Sequence, residues 1–164
     1  MKIIGIIGEP AAGKSTVMRN LIAGLGSGTV EKEGLVAYTK FPESNTIVAG
    51  IYDEQVFSGT DRLSKGCGPK YRGWLAAKNL EPAYDSWTFY WEGERFSNSK
   101  FFDFFFSECS GVQVNYLVAE DEVLNERNAN RSNQNPTWRK GMKTRMENLK
   151  KNYPVTVVQQ GFAL

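Results

Sequence analysis

The sequence predicts an α/β fold in which a mainly parallel sheet is flanked by helices on both faces. Strand-like and helix-like patterns alternate along most of the 164 residues, as they do in βαβ units. The first strand candidate, residues 2–7, is an isoleucine-rich run of the kind found in strands buried on both faces. No linker or shift in composition interrupts the chain, so we expect one domain over residues 1–164.

The other elements follow from short apolar runs bounded by glycine, proline or polar residues. After the first strand, these runs predict strands at residues 35–41, 46–52, 86–91, 111–119 and 155–158. Helical patterns occupy residues 14–25, 74–80, 100–109, 120–131 and 137–152. Residues 53–73 contain four glycines and a proline, which predict a loop or lid.

The segment from Gly8 to Ser15 reads GEPAAGKS and matches the phosphate-binding pattern GxxxxGK[ST] between a strand and a helix. A glycine-rich turn aims backbone N–H groups at an anion, and the following helix start adds partial positive charge. Lys14 can reach the β- and γ-phosphates, and Ser15 can bind Mg²⁺. The pattern therefore predicts a P-loop NTPase fold with ATP and Mg²⁺ as cofactors. The expected phosphate-binding residues are Gly8, Ala11, Ala12, Gly13, Lys14, Ser15 and Thr16.

A charged turn, Glu92-Gly93-Glu94-Arg95, directly follows the strand predicted at residues 86–91. Ligands gather at the carboxyl ends of strands in open α/β sheets. Glu92 could therefore bind Mg²⁺ or accept a proton from an acceptor hydroxyl, and Arg95 could bind a phosphate. The alternative is an ordinary solvated turn.

Two further carboxylates are candidates for the general base. Asp53 follows the third predicted strand, and Asp61 lies beside Arg62 in a polar segment that could recognise the acceptor or cap a helix. The chain has no histidine, so the base must be a carboxylate, a lysine or water. The sequence alone does not choose between Asp53, Asp61 and Glu92.

The C-terminal third of the chain is basic. Residues 127–151 contain eight lysines and arginines and one acidic residue, a pattern that attracts phosphates or marks a solvated helix face. Arg127 and Arg131 share one helix face and are candidates for a lid over the transferring phosphate, or for a surface stripe. Trp138 is a candidate for stacking on a base.

The composition limits other classes of function. The formal net charge is only +2, so the whole chain is not a polycation. Cys67 and Cys109 are distant in sequence and no histidine is present, which makes a zinc site implausible. No apolar run is long enough to span a membrane and no signal peptide is evident, so we expect a cytoplasmic protein.

Three motifs besides the phosphate loop carry a resemblance: GTDRLS at Gly59–Ser64, EGER at Glu92–Arg95, and R-x₃-R followed by Q-x₄-RKG-x-KT in the tail. Together they resemble small P-loop kinases of tailed bacteriophages, in the branch of 5-hydroxymethyluracil DNA kinases, related in fold to nucleoside monophosphate kinases. The chain departs from the pattern expected for this branch at Glu94, at Phe96 and at Arg139–Met142. The resemblance implies a host-cytoplasmic enzyme.

Three functions follow from these observations. The leading hypothesis is transfer of the γ-phosphate of ATP to the hydroxymethyl group of 5-hydroxymethyluracil in phage DNA. In that reaction Lys14, Asp53, Glu92, Arg127 and Arg131 would be catalytic, and Asp61, Arg62 and Arg95 would bind the substrate. The second hypothesis is a (deoxy)nucleoside monophosphate kinase with a free nucleotide as acceptor. The third is an NTP-binding switch or ATPase module. The oligomeric state is left open.

Overall fold

The structure is a computed structural model that describes residues 1–52, 59–129, 135–159 and 161–164. Within these residues, seven strands form one sheet in the order β2-β3-β4-β5-β1-β6-β7. The strands are β1 (Lys2–Gly8), β2 (Thr29–Glu33), β3 (Val36–Phe41), β4 (Thr46–Ala49), β5 (Thr88–Glu92), β6 (Val112–Leu117) and β7 (Thr156–Val158). The α-helices are α1 (Lys14–Ala23), α2 (Gly68–Leu80), α3 (Ser99–Glu108), α4 (Asp121–Ala129) and α5 (Pro136–Asn152).

Most of the sheet is parallel. Strand β1 lies inside the sheet and pairs in parallel with β5 and β6, while β4 and β7 extend the parallel part on either side. Only the β2–β3 and β3–β4 pairs are antiparallel among the described strands. The carboxyl ends of β1, β5 and β6 therefore meet at one edge, as the sequence predicts for a ligand site.

Helices cover both faces of the sheet, because successive side chains of a strand point to opposite sides. Ile3 and Ile7 of β1 belong to an apolar cluster with α2, α3 and α5. Ile6 points to the other face, where Met18 of α1 and Leu124 of α4 pack with it. The predicted α/β architecture with a mainly parallel sheet between helices is confirmed.

Strand β2 is absent from the elements predicted from the sequence. Its sequence, TVEKE, lacks the apolar alternation of a half-buried strand, and most of its residues are exposed. Strand β2 is at the edge of the sheet and pairs only with β3, so little of the core lies beneath it. Backbone hydrogen bonding to β3 holds this strand, and hydropathy does not reveal it.

Two other boundaries differ from the prediction. Helix α2 begins at Gly68 rather than at residue 74, with Pro69 in its first turn, where the missing N–H disrupts no helical hydrogen bond. The predicted loop at 53–73 is correspondingly shorter, and its described part includes a 3₁₀ turn at Thr60–Arg62. Strand β4 ends at Ala49, and in the described part of the chain an isolated antiparallel bridge pairs Ile51 with Gly59 beyond it.

None of the helices in the described part of the chain combines the length and the hydrophobicity needed to cross a membrane.

Candidate functional site

The phosphate-binding loop runs from the end of β1 into the start of α1. Gly13 caps the helix with φ 101°, in the left-handed region, where a residue with a Cβ would be strained. No side chain caps α1, and its first turn contains no acidic residue. The first N–H groups of a helix have no partner within the helix and can bind an anion, as the sequence motif predicts, while the Thr16 N–H here donates to the Gly13 carbonyl at 3.0 Å.

Lys14 folds back over the loop. Its Nζ donates hydrogen bonds to the carbonyl oxygens of Gly8 at 3.0 Å and Glu9 at 2.9 Å. These contacts hold the ammonium group at the mouth of the loop, next to the helix start. The side chain thus lies where it can bind the outer phosphates of a nucleoside triphosphate.

Glu92 lies against the phosphate loop from the end of β5. Ser15 Oγ donates a hydrogen bond to Glu92 Oε1 at 3.1 Å, and the Tyr52 hydroxyl donates to the same oxygen at 3.2 Å. Glu92 is only 1% exposed. A hydroxyl and a carboxylate thus meet at the point where the β1 and β5 ends adjoin.

The environment of Glu92 changes its acidity. Burial raises the pKa of Glu92 to about 7, and the nearby Asp61 charge also raises it. The Lys14 ammonium and the hydrogen bonds from Ser15 and Tyr52 oppose this rise. A carboxyl group with a pKa near neutrality can accept or release a proton under physiological conditions.

Hydrogen bonds join the turn that contains Gly59–Arg62 to the turn that contains Glu92–Arg95. Thr60 Oγ1 donates to the carbonyl oxygen of Glu92 at 2.7 Å, and the Glu94 N–H donates to Asp61 Oδ1 at 2.6 Å. Asp61 is accessible to solvent, but the surrounding protein partly desolvates its carboxyl and raises its pKa, against the Glu94 hydrogen bond. Asp61 and Glu92 therefore face the phosphate loop as a pair of carboxyl groups.

Arg127 reaches the phosphate loop from α4. Its Nη1 donates a hydrogen bond to the carbonyl oxygen of Ala11 at 3.1 Å, and it lies close to Gly13 as well. A guanidinium in this position can bind phosphate oxygens held by the loop.

Residues 1–163 match the family described as P-loop Nucleotide Kinase3. The chain belongs to this family of P-loop nucleotide kinases. It is therefore a phosphotransferase, and the match favours a kinase over the alternative of an NTP-binding switch or ATPase module. The search of curated proteins found no sequence match.

The kinase has a cavity of about 150 Å³ at the phosphate loop. We call it the phosphate-loop cavity. Its walls bring together residues from four segments of the chain. They include the predicted Gly8, Ala11, Gly13, Lys14, Ser15, Thr16, Asp61 and Glu92, and also Arg19, Glu94, Trp138, Met142 and Met146. Trp138, considered for base stacking, is 38% exposed at this cavity.

A second cavity of about 420 Å³ lies on the other side of the loop. Gly13 and Thr16 line both cavities, so the phosphate loop separates them. The predicted Ala12 and Arg127 line the second cavity, as do Phe162 and Leu164 near the C-terminus. Its mixture of apolar walls and one guanidinium suits a nucleoside.

Two predicted substrate-binding residues do not line the phosphate-loop cavity. The walls of this cavity include neither Arg62 nor Arg95. Arg95 Nε donates to the Leu63 carbonyl at 3.2 Å, and its side chain lines a different cavity beside α2 and α3. Asp53 and Arg131 lie outside the described residues.

Arg19 and Tyr52 belong to the site but were missed in the sequence. Arg19 lies four residues after Ser15 on α1 and lines the phosphate-loop cavity, so the helical spacing could have placed it there. Tyr52 reaches Glu92 from just beyond β4. Burial raises the pKa of Tyr52 well above its usual value, so it stays a neutral hydrogen-bond donor. No sequence signal pairs Tyr52 with Glu92.

The residues present suit Mg²⁺ only with help from the nucleotide. Within the described residues, no group of three or more acidic, cysteine or histidine side chains converges on one point. Ser15 and Glu92 supply two oxygen donors side by side. Since Mg²⁺ commonly keeps several waters and takes ligands from substrate phosphates, two protein donors fit this ion.

Proposed function

We propose that this kinase transfers the γ-phosphoryl group of ATP to the hydroxymethyl group of 5-hydroxymethyluracil in DNA. The observation that carries the proposal is the buried Glu92 carboxyl, hydrogen-bonded to Ser15 and facing the cavity that Lys14 lines. A hydroxyl acceptor must lose a proton, and a carboxyl group with a pKa of about 7 can take it. A phosphate acceptor is already ionised and needs no such base. The pair of carboxyl groups therefore favours a hydroxyl acceptor.

The donor nucleotide would lie across the phosphate loop. The loop amides and Lys14 would bind the triphosphate, with Ala12 and Thr16 at the helix start. The base of the nucleotide would occupy the cavity of about 420 Å³ beside Arg127. Ser15 would bind Mg²⁺ directly and Glu92 would hold it through a bound water, which leaves the Glu92 carboxylate able to accept a proton. The ion would neutralise charge on the β- and γ-phosphates.

The reaction would be an in-line transfer. Glu92 would accept the hydroxyl proton as the acceptor oxygen forms its bond to the γ-phosphorus and the bond to the β–γ bridging oxygen breaks. ADP would leave carrying that oxygen. Lys14, Arg127 and Arg131 would stabilise the charge on the transferring group, and Asp61 or Asp53 would orient the acceptor.

A base within duplex DNA would have to leave the helical stack to reach this cavity. Trp138 lies at the cavity with part of its ring exposed, and could stack on a base that has been flipped out. Arg62 and Arg95 would contact the flanking acceptor backbone. The enzyme would act in the cytoplasm, in the host if a phage encodes it.

A (deoxy)nucleoside monophosphate kinase is the second candidate, and the description of the matched family as nucleotide kinases favours it. Here the phosphate of a free nucleotide would be the acceptor. Arginines such as Arg95 would then bind the acceptor phosphate, and Glu92 would serve to bind Mg²⁺.

The two candidates are separated by a transfer assay with γ-labelled ATP and Mg²⁺. Three acceptors are offered in parallel: DNA containing 5-hydroxymethyluracil, the same DNA with thymine, and a panel of deoxynucleoside monophosphates. Label on the modified DNA alone supports the proposal. Label on a free nucleotide alone, with the modified DNA unlabelled, overturns it in favour of the monophosphate kinase.

A further inference from the structure

A second basic cavity lies away from the phosphate loop, between the starts of α2 and α3. Its volume is about 410 Å³. Four basic side chains line it, and no acidic residue is among its walls in the described structure: Lys65, Arg72, Arg95 and Lys100. We call this cavity the α2–α3 groove. Four cations without a carboxylate form a local positive field that attracts phosphates.

Among the described residues, no salt bridge joins any of the four cations to an acidic side chain. Arg72 stacks over the Phe101 ring at 5.3 Å, which fixes the guanidinium at the wall while leaving its charge in place. Lys65 and Lys100 are exposed.

The basic residues of helix α5 differ from those of the groove in that several of them form ion pairs. Lys143 pairs with Glu9 at 3.2 Å, and Arg145 pairs with Glu94 at 3.5 Å. Lys150 also lies 3.7 Å from Glu147. Three of the six basic residues of α5 thus meet acidic partners, whereas none of the four cations of the groove does so among the described residues, so the groove is the better candidate for binding a polyanion.

The groove also contains the first residues of two helices. Gly68 begins α2 without a side-chain cap, and Ser99 begins α3. Helix starts carry partial positive charge, which adds to the field of the four cations.

The groove adjoins the phosphate-loop cavity through a short stretch of chain. Arg95 of the groove follows Glu92 by three residues, and Asn98 of the groove follows Ser97 of the cavity. Three residues span at most roughly 11 Å. Successive phosphates of one DNA strand are about 3.4 Å apart along the helix axis, so the groove lies within a few nucleotides of the acceptor position.

We propose that the α2–α3 groove binds the phosphodiester backbone of the DNA acceptor beside the base that is phosphorylated. The inference rests on the proposed function in that the acceptor is DNA. Four cations in one groove exceed what a single monophosphate group needs, and they suit a chain of several phosphates.

The binding test uses the full chain without ATP and a fluorescein-labelled, unmodified single-stranded 12-mer, titrated at several salt concentrations. Lys65→Gln combined with Lys100→Gln removes two charges from the groove. Lys2→Gln combined with Lys32→Gln removes two exposed charges from β1 and β2, away from the groove, and serves as the matched control. We expect the groove variant to bind the 12-mer about tenfold more weakly. The slope of its log binding constant against log salt concentration should be shallower by roughly 1.4, and the control should match wild type in both respects. Equal binding by both double variants overturns the proposal.

The kinetic test separates this proposal from the proposed function. With DNA containing 5-hydroxymethyluracil, the groove variant should show a raised KM for DNA and an unchanged kcat, whereas its KM for ATP should not change. An equal rise in both KM values would show that the substitutions disturb the active site as a whole, and would overturn the proposal. Wild type could label no DNA and still bind the 12-mer, with the binding lost only in the groove variant. In that case the proposed function is wrong, while DNA binding by the groove is supported. Equal melting temperatures of the two double variants exclude misfolding.

Discussion

Ser15 Oγ and Glu92 Oε1 are 3.1 Å apart, although 77 residues separate them in sequence. The contact exists because β1 and β5 are parallel neighbours, so the loop after β1 and the last residue of β5 meet at the same sheet edge. It brings a residue of the phosphate loop against the buried carboxyl group that we propose as the base. Both the chemistry and the acid–base behaviour of the protein should depend on this pair.

Glu92→Gln should lower kcat by roughly 10²–10⁴ because it removes the proton acceptor while keeping the shape of the side chain and its hydrogen-bond acceptor. For wild type, kcat/KM should rise with pH through about 7, since only the ionised carboxylate accepts a proton. This acid limb should be missing from the Glu92→Gln profile. Steady-state kinetics between pH 5.5 and 8.5 measure both effects.

Glu108→Gln is the matched control, because this carboxylate is exposed at the end of α3. Its rate and pH profile should equal those of wild type. An unchanged kcat in Glu92→Gln would remove Glu92 from the proton-transfer step and return the choice to Asp61 or Asp53.

Stability should also depend on the Glu92 proton. The folded protein binds this proton more tightly than the unfolded chain, because burial raises the pKa from 4.5 to about 7. Its contribution is therefore fully present below about pH 4.5 and is lost as pH rises towards 7. The loss amounts to about 3 kcal/mol at most.

Urea unfolding of wild type and Glu92→Gln at pH 5.0 and pH 7.5 measures this effect. The neutral amide cannot ionise, so the free energy of unfolding of the variant should fall less over this interval than that of wild type. Parallel changes in the two proteins would show that Glu92 keeps an ordinary pKa.

Much of the site could be predicted from sequence because its parts lie at strand ends. The phosphate loop follows a buried strand, and Glu92 ends another, so the parallel topology brings them together. The GxxxxGK[ST] motif identified Lys14 and Ser15, and both residues line the phosphate-loop cavity. Their catalytic roles stay predictions.

The remainder depends on contacts that no local pattern encodes. Arg95 was expected at the phosphate loop because it follows Glu92 closely, but its guanidinium turns towards Leu63 and the α2–α3 groove. Tyr52 contacts Glu92 only because the chain beyond β4 crosses the end of β5. Strand β2 is polar and is held by hydrogen bonds at the sheet edge, which hydropathy cannot detect.

Lys14→Met should weaken ATP binding by roughly 30-fold, the equivalent of about 2 kcal/mol for a lost charged hydrogen bond. The fold should be retained, since the Lys14 ammonium group donates to carbonyls of its own loop and the residue lies outside both apolar clusters. Isothermal titration calorimetry with ATP and Mg²⁺ measures the change. Lys32→Met removes an exposed lysine from β2 and should bind ATP as wild type does. Equal affinity in the two variants would exclude Lys14 from phosphate binding.

Gly50→Ala and Gly73→Ala should change stability in opposite directions. Gly50 has φ 84°, and a Cβ built there would lie 2.0 Å from the carbonyl oxygen of Gly59. Because the obstacle is backbone at the joint between β4 and the 3₁₀ turn that carries Asp61, alanine should cost about 2 kcal/mol or more. Gly73 lies inside α2 with no atom within 4 Å of a built Cβ. Alanine there should therefore stabilise the protein by roughly 0.5–1 kcal/mol. Thermal unfolding of both variants measures the contrast. A neutral Gly50→Ala would mean that the turn carrying Asp61 shifts freely, and Asp61 would then not be held in register with Glu92.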